Sequence, residues 1–243
     1  MNNIYETPEQ EVVGLKSSSG TLSFAKVFLY MFIGLAITAA VAMGLSAIIY
    51  YAAVNGADPE VLTNTYFGLM ISSGILLLVL TFVINFVLLR GKHSVLVPAI
   101  IYTVLMGVLL SSFCLLIDWR ILGLAFGITS GIFLLMTIIA ALTKSNLSPL
   151  LMIGMGLIFG SLILSLVNWL IGSTTIMWIV TFAIFAAMMF ITMFDIWNIK
   201  KITERGEMSN NISLYCAFTL YVDFIYIFIR VVYFLIIIFG SKR

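Results

Sequence analysis

The stretch TLYVDFIYIFIRVVYFLIIIFG, Thr219–Gly240, decides the fold. It is apolar almost throughout and is long enough to cross a bilayer core, which takes about 20 residues of helix. It nevertheless carries an acid, Asp223, and a base, Arg230, on the same face of that helix. The rest of the chain has the same character. Of its 243 residues 63% are hydrophobic and 9% charged, with a mean hydropathy of +1.20. A soluble domain carries roughly 25% charged residues, so this chain lacks the material for a water-facing surface. A net charge of +2 provides no field for nucleic acid, which is not expected as a partner.

Working outward from Thr219–Gly240, seven apolar stretches are long enough to span: about 27–54, 63–89, 95–117, 121–142, 149–171, 177–199 and 212–239. The breaks between them are short and polar, and none is long enough to separate two soluble domains. Only helices satisfy their own backbone in lipid without closing into a barrel, so the expected fold is a single all-α integral membrane bundle of seven helices over 27–240. Residues 1–26 are polar and read as a soluble tail, because the apolar run that follows is too long for a secretory signal. Lys16, Lys26, Arg90, Lys92, Lys144, Lys200, Lys201 and Arg205 fall on the side of the N-terminus, against Arg120, Lys242 and Arg243 on the other. That imbalance predicts a cytoplasmic N-terminus and an external C-terminus in a cell membrane.

The acidic residues carry the functional signal. Eight of the ten lie in the tail or in loops, and only Asp195 and Asp223 lie within spans. An aspartate at mid-membrane costs about 2.5–3.5 kcal/mol even on a lenient scale, so such residues face an interior and usually work. Spans 6 and 7 are consecutive, and counting residues from the turn between them leaves the two carboxylates about 12 Å apart in depth at 1.5 Å per residue. Spacing permits a contact and does not require one. Carboxylates that meet share a proton, and their titration belongs to the pair. Ionised, they form a hard oxygen site that attracts Ca²⁺. The competing reading is local pairing, Asp195 with Lys200 or Lys201 and Asp223 with Arg230. Arg230 also has a second role open to it, snorkelling to the outer headgroups. Arg90 ends span 2 level with Asp195, where it either anchors at the interface or reaches inward. His93 falls in a loop.

Small residues recur at four-residue spacing: Ala36, Ala40 and Gly44; Gly123, Gly127 and Gly131; Gly156 and Gly160. Such stripes are expected to let helices approach closely. Pro149 opens span 5, and Pro98 either kinks span 3 or sits in its first turn. Cys114 and Cys216 read as small buried apolar residues. Enzyme chemistry finds little support. An intramembrane aspartyl protease would use paired aspartates, but the flanks MFD and LYVD lack the glycine motif that such enzymes carry at the second aspartate. His93 lies outside the membrane, which removes a Ser–His dyad, and no span holds the lysine that a retinal protein needs. No cofactor is expected, and the chain does not read as an enzyme.

MFDIWNIKKI, Met193–Ile202, followed by SLYCAFTLYVDFIYIFIRVV, Ser213–Val232, resembles the signature of the Bax inhibitor-1 family. YMFIGLAITAAVAMG in span 1 and PAIIYTVLMGVLLSSF in span 3 are similar to that family's first and third helices. The resemblance runs from about Phe24 to Gly240. It implies a seven-helix bundle with the seventh helix central, a pH-sensitive Ca²⁺ leak and protection from cell death. It also implies, for some bacterial relatives, a membrane-anchored protease as partner. It maps the family's aspartate pair onto Asp195 and Asp223, as pH sensor and calcium site, with Arg90 as the nearest match to a latching arginine. The chain departs from the family at Tyr226, where an Asn is usual, at Phe194, and at Arg230. Two functions from different classes therefore stand as expectations: a pH-gated calcium leak protein bathed in membrane lipid, and a non-transporting modulator of a membrane protease or stress pathway.

Overall fold

A computed structural model of the chain describes the backbone of residues 8–90 and 95–240 and the side chains of 24–86 and 95–239. The regular structure among the described residues is helical throughout: α1 (Pro8–Val54), α2 (Pro59–Arg90), α3 (Leu96–Leu116), α4 (Trp119–Leu142), α5 (Ser148–Ile171), α6 (Thr174–Glu204) and α7 (Asn210–Gly240). All seven are long and apolar enough to cross a membrane.

The helices run past the apolar stretches because their polar ends are capped. Asp58 accepts from the Glu60 N–H at 2.9 Å, and Pro59 takes the first helical position, where its missing N–H is harmless. Asp118 does the same for α4 through Arg120 N–H, also at 2.9 Å. Two acids that the sequence merely assigns to loops are thus helix caps. α6 continues through Lys200 and Lys201 to Glu204, where Gly206 adopts φ +73°. Its N–H donates to Thr203 O and the Glu207 N–H to Ile202 O, closing the helix with the paired bonds that a left-handed residue permits. Ser209 then caps α7 by accepting from Ile212 N–H. Pro98 stands in the first turn of α3, and α1 begins at Pro8, within the segment expected to be a tail.

The chain divides into two compact units. The first comprises Met1–Tyr30 and Leu135–Leu220. In it α5 packs on α6. The fit depends on Gly154, since a Cβ there would come within 2.7 Å of the Ile191 side chain and 3.1 Å of Ala187 O. Lys200 Nζ donates to Ala141 O at 2.6 Å, satisfying a carbonyl at the end of α4. Lys26 Nζ donates to Asn210 Oδ1 at 2.7 Å, which ties α1 to the start of α7.

The second unit comprises Met31–Leu134 and Tyr221–Arg243. Here α2 packs on α3, and the hydroxyls of Tyr66 and Ser111 meet at 3.0 Å. The Phe224 ring of α7 sits 5.6 Å from both Phe126 and Phe133 of α4. Here α1 and α3 approach closely. A Cβ on Gly107 would stand 2.7 Å from Val41 Cβ and 2.8 Å from Thr38 O, so only glycine lets these helices lie this close.

The four-residue stripes behave differently from the expectation. A Cβ on Gly44, Gly123, Gly127, Gly131, Gly156 or Gly160 would meet nothing within 4 Å. The close approaches are made instead by Gly34, Gly107 and Gly154.

Candidate functional site

Asp223 lies on α7 in the second unit, 5% exposed, with Phe224 and Ile225 buried beside it. Of the seven spans α7 has the largest buried share of its apolar window, 39%, against 11% for α5. A helix so placed can carry an acid that a lipid-facing helix could not.

Two residues before Asp223, Tyr221 anchors a polar junction. The Thr38 Oγ1 of α1 donates to the Thr103 carbonyl of α3 at 3.0 Å and lies 2.6 Å from the Tyr221 hydroxyl. Thr38 and Tyr221 are 2% and 1% exposed. The Tyr102 ring meets Tyr221 edge-on at 6.3 Å. Gly34 makes room for this cluster, since a Cβ there would come within 3.2 Å of the Tyr221 ring. Spans 1, 3 and 7 are therefore fastened together at a residue two positions from Asp223. Sequence reading missed this junction. Its signal was present in the Gly–Leu and Thr–Ala elements of span 1 and the Tyr–Thr…Gly of span 3, which the family resemblance rests on.

Asp195 belongs to the first unit and is half-buried on α6. It lies within electrostatic reach of Tyr215 and Cys216 in the opening turns of α7. The lysines offered as its local partners are engaged elsewhere. Lys200 binds Ala141 O and approaches Glu204 Oε1 at 3.9 Å, and Lys201 stacks over the Trp197 ring at 3.7 Å. Arg230 is half-buried in the second unit, and its electrostatic neighbour is Tyr233, one turn on. The side chains of Arg90 and His93 lie outside the described residues. Cys114 and Cys216 are free thiols; Cys216 is buried and Cys114 only partly so. Among the described residues no group of three or more His, Cys, Asp or Glu is placed to hold a metal ion.

The family model described as inhibitor of apoptosis-promoting Bax1 matches residues 21–241. The inner membrane protein YbhL of Escherichia coli K12 is 33% identical over 228 residues, covering 90% of this chain and 91% of YbhL. An uncharacterized protein of Borreliella burgdorferi is 28% identical over 151 residues, 59% of this chain and 62% of that protein. No solved structure gives a significant match.

Proposed function

Because this multi-pass membrane protein belongs to the Bax inhibitor-1 family, we propose that it is a pH-sensitive, calcium-permeable leak protein of a bacterial inner membrane. The observation that carries the reading is Asp223, an acid 5% exposed within a membrane span. An acid in a membrane span carries an energetic cost, and such residues usually work. In this reading Asp195 and Asp223 share a proton in the closed state. Loss of that proton leaves negative charge facing the path, repels the carboxylates from one another and draws Ca²⁺ inward. Arg90 latches the closed form. Calcium is the cargo in this reading, with Asp195 and Asp223 as its carboxylate ligands. Inner-membrane placement follows the name of YbhL.

The test is Ca²⁺ entry into proteoliposomes across a pH series. Asp223→Asn and Asp195→Asn are each expected to abolish the pH dependence of the flux. Unchanged pH profiles in both variants would sink the proposal. A second reading, a non-transporting modulator of a membrane protease, is favoured by the open glycine faces of α4 and α5, which suit a partner helix. It predicts no flux at any pH and a protease recovered with the full-length chain after cross-linking in native membranes.

A further inference from the structure

We infer that the second unit holds a lipid site: a cavity between α1, α3, α4 and α7 that takes the hydrocarbon chain of a bilayer phospholipid and presses it against α7 beside Asp223. The cavity measures about 550 Å³, within the usual range of ligand sites. Its walls include Ala39 and Ala42 of α1, Leu110 of α3, Gly123 of α4, and Phe224 and Phe228 of α7.

The chemistry of the walls selects the occupant. The hydroxyls that reach the cavity are already committed. Thr38 serves Thr103 and Tyr221, and Ser46 Oγ donates to Met43 O at 2.9 Å. A bound water wants two to four polar partners, and a wall with so few uncommitted polar groups favours hydrocarbon over water. The lining is otherwise aliphatic and aromatic, so hydrocarbon is what fits. The cavity follows α1 from Leu35 to Ser46, about 16 Å at 1.5 Å per residue, which suits an extended chain better than a compact ring. Ala39 and Gly123 both line it and are both exposed, so it opens sideways between two membrane spans. Hydrocarbon chains are what lie outside that opening. Trp119 also lines the cavity, and the Arg120 guanidinium sits 5.7 Å from its ring. That pair marks the headgroup level and the leaflet from which the chain enters.

The site bears on function through position. The occupant touches Phe224 and Ile225, which follow Asp223 directly, and Thr38, which ties α1 to α7. Filling or emptying the cavity therefore loads the segment of α7 that holds the acid.

The experiment uses the full chain in proteoliposomes containing phosphatidylethanolamine with a photoactivatable group on its acyl chain. Cross-linked peptides are mapped by mass spectrometry. Label is expected on residues 39–46, 119–126 and 224–228 in excess over the lipid-facing side of α5. Gly123→Phe on α4 and Ala39→Phe on α1 each place a ring in the cavity. Each is expected to lower cavity labelling about tenfold, as displacing roughly two methylenes would, and to leave α5 labelling unchanged. Even labelling of α5 and the cavity in the wild-type chain overturns the inference without any variant, and so does cavity labelling that survives either filled variant. The readout is lipid contact, so it stands or falls apart from calcium flux.

Discussion

The Thr38 hydroxyl has one hydrogen, and it is spent on Thr103 O at 3.0 Å. The Tyr221 hydroxyl, 2.6 Å away, therefore donates to Thr38. The two ends of this bond are not equivalent. Tyr221→Phe removes a donor and leaves Thr38 its bond to Thr103. Thr38→Val deprives both neighbours, leaving the Tyr221 donor to be rehoused inside a membrane protein. Thr38→Val is expected to destabilise by about 1–2 kcal/mol and Tyr221→Phe by about half as much, consistent with hydrogen bonds between membrane helices. Thermal unfolding in detergent reads both, and equal losses would contradict the assigned direction. The same residues show what was legible. Asp223 announces itself because a carboxylate in lipid is costly wherever it points. A hydroxyl does not, because it can bond its own helix: Thr129, Thr181, Thr192 and Thr203 each donate to the carbonyl four residues back at 2.8 Å. Thr38 has the same local option and reaches across to α3 instead, and no spacing rule separates the two cases.

At the scale of the helix, glycine spacing fixes which residues share a face and is silent on which face meets a neighbour. Gly123, Gly127 and Gly131 form a regular row on α4 that stays open, whereas isolated Gly107 and Gly154 carry the contacts. Gly107→Ala is expected to cost about 1–3 kcal/mol, because the new methyl would meet a backbone carbonyl that cannot rotate away. Gly127→Ala is expected to be neutral or to stabilise by up to about 1 kcal/mol, the ordinary helix preference of alanine. A lowered unfolding midpoint for Gly127→Ala, with Gly107→Ala unchanged, would reverse the assignment. Helix existence was legible because lipid length and apolar length must agree. Helix ends were less so, because Asp58, Asp118 and the Gly206 turn extend helices into sequence that reads as loop.

For the whole molecule the remaining question is which end faces the cytoplasm. In the first unit Lys26 bonds the start of α7 and Lys200 bonds the end of α4, so these helix ends and their lysines gather at one level. Lys201 and Arg205 belong to the same end of α6. Basic residues resist translocation, so this end is expected to be cytoplasmic. With seven candidate spans among the described residues, the C-terminus is then expected outside. Fusing alkaline phosphatase after Arg243 should give an active enzyme in Escherichia coli, and green fluorescent protein at the same place should stay dark. A bright fluorescent fusion with an inactive phosphatase would invert the orientation. It would also move the Trp119–Arg120 end of the lipid cavity to the cytoplasmic leaflet, so the same pair of fusions decides from which leaflet a chain reaches α7.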